Sequence, residues 1–127
     1  MAIELNKREK EGSPKTPARA FSKKQEIKVA HELGGLRNPN SGATPFMPGD
    51  IRIPNLILIE CKTKMKKSES ISIKKAWIEK IGQEALFSGE PYSCVAFNFG
   101  PNEENYYIID QFLFQTLIEY LKNSKEI

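Results

Sequence analysis

The sequence predicts a single α/β domain, and three observations carry that prediction. A chain of 127 residues has room for one hydrophobic core and not for two. Segments of helical periodicity alternate with short apolar, β-branched runs in the order α-β-β-β-α-β-β-α, the first strand being a short one near Leu36-Arg37. The run Leu56 to Cys61 is apolar until it meets Glu60, which is the pattern of a strand buried in a sheet.

The elements follow in order. Residues 1–20 mix Lys, Arg, Glu, Pro, Gly and Ser with little apolar content and read as a flexible basic arm, which places the domain at 21–127. Ser22-Lys23-Lys24-Gln25 is a capping box, so a helix is expected from Lys23 to Leu33, ended by Gly34-Gly35. Its inward stripe is Glu26, Ala30 and Leu33, with a carboxylate at the edge of the apolar face. Residues 37–48 are rich in turn formers and small polar groups. Pro54-Asn55 is a turn signal between Gly49-Asp50-Ile51-Arg52-Ile53 and the strand Leu56 to Cys61, so a hairpin is expected there. A Lys/Ser-rich stretch, 63–71, leads to a helix from Ile73 to Ser88, closed by Gly89 and Pro91, with Trp77, Ile78, Ile81, Ala85 and Leu86 toward the core. Strands are expected at Tyr92 to Phe99 and Tyr106 to Ile109. Asp110 can cap a last helix to Leu121, packed through Phe112, Leu113, Leu117 and Tyr120.

The hairpin concentrates the chemistry. Strand side chains alternate faces, so Glu60 and Lys62 share one face and Cys61 takes the other. A turn centred on residue 55 sets Asp50 opposite Glu60. Two carboxylates in near contact repel and are costly to bury, and a divalent cation removes that cost. Hard oxygen ligands suit Mg²⁺. Metal-activated water beside a lysine is the equipment for cutting a phosphodiester. The plainer account makes Asp50 a turn residue and Glu60-Lys62 a charged pair at a strand end. The strand, the turn spacing and the flanking segments favour the site.

Charge is uneven. Residues 1–83 carry 17 Lys/Arg against 9 Asp/Glu, while residues 84–127 carry 2 Lys against 7 Asp/Glu. The basic part contains the hairpin, and a polyanion is the natural partner for its field. Lys24, Lys28, Arg37, Lys64, Lys66, Lys67, Lys74 and Lys75 are the candidate DNA contacts. Ser41 and Thr44 in the loop before Asp50 can hold phosphate oxygens. No apolar run reaches the ~20 residues of a membrane span and no signal region opens the chain, so an intracellular, cytoplasmic protein is expected. Cys61 and Cys94 sit in strand-like runs and read as reduced core residues. With no CxxC and one histidine, a zinc site is not expected.

These segments together resemble the PD-(D/E)xK nuclease superfamily, and within it the archaeal-type Holliday junction resolvases and their phage relatives. The likeness runs from Gln25-Glu26-Ile27-Lys28 through Arg37-Asn38-Pro39-Asn40-Ser41-Gly42 and Gly49-Asp50 to Leu58-Ile59-Glu60-Cys61-Lys62-Thr63-Lys64, and covers residues 21–110. It implies a restriction-endonuclease-like fold, a mixed central β-sheet flanked by α-helices. It implies Mg²⁺-dependent DNA cleavage, with Mn²⁺ able to substitute. Asp50, Glu60 and the Cys61 backbone carbonyl would be metal ligands, Glu26 would reach the metal through water, Lys62 would act on the water or the scissile phosphate, and Ser41 would match a catalytic-loop serine. The expected substrate is branched DNA, a four-way junction, cut by a homodimer because two symmetric cuts need two sites. Restriction- or repair-type endonucleases of the same superfamily share these residues. The alternative of another class is a non-catalytic DNA-binding protein, against which the intact Asp50, Glu60 and Lys62 argue. Gly49 stands where the superfamily's name has proline.

Overall fold

The predicted hairpin organises the fold. The computed structural model describes residues 17–38 and 49–125. Strands β2 (Ile51–Ile53) and β3 (Ile57–Lys62) pair antiparallel with Ile51 opposite Ile59 and Ile53 opposite Ile57. That register is centred on Asn55. The Leu56 N–H donates to the Ile53 carbonyl at 3.0 Å, closing a turn with Pro54 at its second position and Asn55 at its third. Asn55 has φ 62°, a left-handed conformation that asparagine tolerates and that such a turn requires.

Around the hairpin the sheet has five strands in spatial order β1-β2-β3-β4-β5, with β1 at Leu36–Arg37, β4 at Tyr92–Phe97 and β5 at Tyr106–Ile108. β3 and β4 are parallel and every other neighbouring pair is antiparallel, so the sheet is mixed. A parallel pair needs a long crossover, and helix α2 (Lys75–Ser88) supplies it. Together with α1 (Pro17–Leu33) and α3 (Gln111–Lys125), the described residues form a small α/β domain with three helices.

The period-2 alternation of β3 and β4 divides the core into two layers. On one face Val29 of α1 packs with Ile51, Ile59, Cys61, Cys94 and Ala96. On the other, Leu58 and Val95 pack with Ile81 and Ala85 of α2, and Trp77 lies against them. Both cysteines are free and buried, and burial pushes the Cys94 thiol up to about 12 and the Cys61 thiol upward as well.

Several expected details differ. Helix α1 begins at Pro17, not after Ser22. Proline is suited to a first helical turn, so Ser22 lies inside the helix and its capping box is not used. Residues 17–20 belong to α1, and residues 1–16 lie outside the described residues. The buried stripe of α1 is Gln25, Glu26 and Val29, while Leu33 is 42% exposed. Helix α2 starts at Lys75 rather than Ile73, with Lys74 as an N-cap that makes no side-chain capping bond, and ends on Gly89 at φ 89°. Ile78 and Leu86 turn away from the core. Asp110 caps α3 as expected, accepting from the Leu113 N–H at 2.8 Å. Leu113 is buried, but Phe112, Leu117 and Tyr120 are exposed, Phe112 keeping a ring contact with Tyr92 at 6.2 Å. No helix among the described residues is long and apolar enough to cross a membrane.

Candidate active site

The paired register ends at Ile51 and Ile59, and Asp50 follows at the end of the ladder, where its carboxyl lies near enough to Glu60 to feel its charge. Three hydrogen bonds to the backbone fix Asp50 there. Its N–H donates to the Ile59 carbonyl at 3.0 Å and its carbonyl accepts from the Asn38 N–H at 2.8 Å. Its Oδ2 accepts from the Cys61 N–H at 2.7 Å. The residue before it is Gly49, at φ 73°. A Cβ there would come within 2.7 Å of the Leu58 side chain, so the chain can reach Asp50 by this path only through glycine. Proline, locked near φ −65°, cannot stand at this position.

Electrostatics mark the same spot. Burial pushes the Asp50 carboxyl up to about 7, the charge of Glu60 adds to the rise, and Glu26 adds a little more. The hydrogen bond from Cys61 and the charge of Lys62 oppose it without cancelling it. Glu60 and Lys62 share the α2 face, as alternation predicts, and the Lys62 ammonium lies 3.2 Å from Glu60 Oε2. The same ammonium sits 4.8 Å from the centre of the Trp77 ring, so Trp77 is both a core wall and a platform for the lysine.

Glu26 is buried on α1 and pairs with Arg37, Nε to Oε1, at 3.0 Å. Burial raises its carboxyl and Arg37 counters part of the rise, while the Glu60 charge reaches it as well. The guanidinium of Arg37 is thus engaged within the protein. Glu26 and Arg37 together form one wall beside the Asp50–Glu60 pair.

The remaining candidates fall in three places. Lys24 and Lys28 are exposed on α1, on a different stripe from Glu26. Lys74 and Lys75 are exposed at the start of α2, one turn before Trp77, and Lys75 pairs with Glu79 at 3.8 Å. In the stretch after β3, Lys66 is exposed and Lys67 meets Glu103 at 3.8 Å. Lys64 turns inward to Ser68 Oγ at 3.2 Å and the Ser70 carbonyl at 2.9 Å. This stretch is an anchored loop: the Ser68 N–H donates to the Phe99 carbonyl at 2.7 Å, and a Cβ on Gly100 would come within 2.5 Å of the Lys67 Cα. Ser41 and Thr44 lie outside the described residues.

Sequence reasoning missed the groups that hold the hairpin. Glu84 Oε1 accepts from the Gly49 N–H at 2.9 Å, tying α2 to the residue before Asp50. Asn38 Nδ2 donates to the Gly49 carbonyl at 3.2 Å. Gln25 Nε2 donates to the Lys62 carbonyl at 2.8 Å, tying α1 to the end of β3. Glu90 is buried and accepts from Arg52 at 2.8 Å, from the Asn55 N–H at 3.3 Å and from Ser88. Burial alone would raise its carboxyl, but these donors hold it below the ordinary value. Only Asn38 and Glu90, polar residues beside predicted strands, carried any local hint.

Among the described residues no three His, Cys, Asp or Glu side chains converge as a ready metal cage. The donor set available is two carboxylates, Asp50 and Glu60, and the backbone carbonyl of Cys61. It fits a hard divalent cation that keeps waters and takes phosphate oxygens. The raised Asp50 is the physical sign of the fit, since a second positive charge is what this pair lacks. No protein-family model, no curated protein and no solved structure matches this chain.

Proposed function

We propose that the protein is a Mg²⁺-dependent DNA endonuclease of the PD-(D/E)xK type, with the restriction-endonuclease-like fold, that resolves four-way junctions as a homodimer. The observation that carries the reading is the buried Asp50 within reach of the Glu60 charge, with Lys62 paired to Glu60 at 3.2 Å. An acid held at about 7 beside another acid has no structural use at a hairpin that backbone bonds already close. It has a use where a cation and a phosphate arrive together.

Asp50, Glu60 and the Cys61 carbonyl would hold the ion. When bound, it supplies Lewis-acid polarisation of the phosphate and a more acidic water. Lys62, resting on Trp77, presents its ammonium to the water or to the charge that grows on the phosphate oxygens. Glu60 keeps that ammonium in place, and Gln25 fixes the backbone that carries it. Glu26 of α1 and Arg37 of β1 bound the site and can order water at its edge.

One chain carries one such site, and a junction needs two cuts related by symmetry. Helix α3 supports a second copy as the partner. Phe114, Leu117, Ile118 and Leu121 follow the i, i+3, i+4, i+7 spacing of one helix face, and all are exposed. A 15-residue helix is marginal in water unless its apolar face is covered.

The test is cleavage of four-way junction, duplex and single-stranded DNA, with and without Mg²⁺, beside Asp50→Asn. Junction cleavage in Mg²⁺ that the variant lacks is the expected result. Duplex cleavage alone would redirect the reading to a restriction- or repair-type enzyme, and DNA binding without any Mg²⁺-dependent cleavage would overturn the enzymatic reading.

A further inference from the structure

The sheet face that carries Lys62 also carries aromatic side chains that the catalytic reading leaves unused. Lys62 of β3 is in register with Phe97 of β4, and Phe97 with Tyr106 of β5. The three residues form one row across the sheet. Alternation puts the whole row on the α2 side, because Leu58, Val95 and Ile108, with which these residues share their strand faces, pack with Ile81 and Ala85 of α2. Two strand spacings, about 10 Å, separate the Lys62 and Tyr106 backbones. Lys62 and Phe97 are the last residues of the parallel strands β3 and β4, and open α/β sheets take their ligands outside such carboxyl ends.

Three rings pack together at this end of the sheet. Tyr106 lies 5.8 Å from Phe97, centroid to centroid, with 30° between the planes. Phe99 stands edge-on to both at 5.7 Å, with interplanar angles of 79° and 71°. Such contacts fix the orientation of an aromatic side chain. Phe97 and Phe99 are half-buried, whereas Tyr106 is 48% exposed. A ring that two neighbours already hold loses little side-chain freedom when a flat ligand covers it.

Positive charge flanks the cluster. Lys62 stands at one end of the row. At the other end the anchored loop touches the strand that Phe99 extends: the Ser68 N–H bonds to the Phe99 carbonyl, and the Lys67 backbone lies against Gly100. Lys66 and Lys67 of that loop are exposed. Glu103 meets Lys67 at 3.8 Å, but the lysine side chain is 74% exposed, and a pair so open to water is weak enough to yield to a phosphate.

We propose that Tyr106, braced by Phe97 and Phe99, is a stacking platform for one unpaired base of the DNA, next to the phosphate that meets Lys62. The inference rests on the reading of the protein as a DNA nuclease and names a feature of its substrate. A base offers a free ring face only where its own stack is broken, so a continuous duplex gives this surface nothing to bind. Stacking engages the π face and not the base edge, so every base should serve. Charge selects nucleic acid over other flat ligands. Phosphates recur about every 3.4 Å along a strand, so a strand whose base covers Tyr106 carries phosphates within reach of Lys62, Lys66 and Lys67. Exposing a base is least costly where pairing is already broken, as it is at a branch point.

The test is equilibrium binding of the full chain in EDTA, where no cleavage intervenes, read by fluorescence anisotropy. The probes are one duplex sequence, uninterrupted or carrying a single unpaired adenine, a single unpaired thymine or an abasic residue. Either unpaired base should bind the parent about tenfold tighter than the abasic residue does. Tyr106→Leu keeps apolar packing against Phe97 without the ring and should lose that gain, whereas Tyr106→Phe should retain it. Unpaired 5-iodouracil in place of thymine, irradiated in the complex, should cross-link to Tyr106 or Phe99. The abasic comparison and the cross-link use the unaltered protein, so neither depends on a variant that folds. Equal binding of the bulged and abasic duplexes, an undiminished gain in Tyr106→Leu, or a cross-link outside the aromatic cluster would overturn the inference and leave the nuclease reading intact. Failure to bind any of these DNAs, or a four-way junction, would overturn both readings.

Discussion

Asp50 is the residue on which chemistry and stability meet. Its folded value of about 7 lies above the ordinary 3.8. Between those limits the folded protein keeps a proton that the unfolded chain has released, so metal-free stability falls as pH rises from about 4 to about 7. Each unit is about 1.4 kcal/mol, so the burden at pH 8 is on the order of a few kcal/mol. Asp50→Asn should remove that slope and unfold at a higher temperature than the parent at pH 8, because Asn still accepts from the Cys61 N–H while carrying no charge. Thermal melts from pH 4 to 8 check this. Mg²⁺ at pH 8 should raise the parent's melting temperature and leave the variant's nearly unmoved. The same variant should bind DNA and fail to cut it. Glu26→Gln is expected to cut at least tenfold more slowly, about 1.4 kcal/mol in the barrier, since it strips the charge that pairs Arg37 beside the site. Rates near the parent's would make Glu26 structural only.

At the scale of elements, the hairpin is held from outside as much as by its own ladder. Gly49 leads into β2 through a left-handed residue pressed on Leu58, and Glu84 of α2 receives its N–H. Gly49→Ala combines that backbone conformation with a steric conflict and should cost about 2–3 kcal/mol in a urea titration. Glu84→Gln keeps an acceptor for Gly49 and should be mild, whereas Glu84→Ala should lower cleavage more than it lowers melting temperature. Its role is to position Asp50 through Gly49, and a fall in cleavage that the Gln variant restores is the signature of that role. On the proposed function, the anchored loop after β3 would meet DNA. Lys66 and Lys67 reach solvent while Lys64 holds the loop's shape. Lys66→Ala with Lys67→Ala should therefore flatten the salt dependence of binding by up to about 0.9 for each phosphate no longer neutralised. Adding Lys64→Ala should also loosen the loop. An unchanged salt slope in the double variant would show that these lysines meet only solvent.

Among the described residues the apolar face of α3 is exposed. Leu117→Glu with Leu121→Glu sets charges into the proposed interface at positions that are exposed in the single chain. Sedimentation should show the parent as a dimer and this variant as a folded monomer. Single-strand nicking of a junction should survive in the monomer while paired cuts disappear, because each chain has its own site and only the second copy is missing. A parent that sediments as a monomer at micromolar concentration would return α3 to an unassigned partner.

What the sequence determined by itself is local in origin. The turn at Pro54-Asn55 set the register and the alternation along Leu56–Lys62 put Glu60 with Lys62 and against Cys61, but the ladder stops at Ile51 and the Asp50 N–H bonds to the Ile59 carbonyl, one step off that register. The order of helices and strands, the stop at Gly89 and the cap at Asp110 were legible for the same reason: each is written within a few residues by backbone preference. The tertiary structure alone decided what depends on distant partners. Helix α1 buries Gln25 and Glu26 because polar acceptors and Arg37 await them there, which no helical period reveals. Leu33, Ile78, Leu86, Phe112, Leu117 and Tyr120 have apolar character but are exposed among the described residues, so hydrophobicity alone could not place them. The raised Asp50 depends on the packing around it, since desolvation is a property of the surroundings and not of the residue.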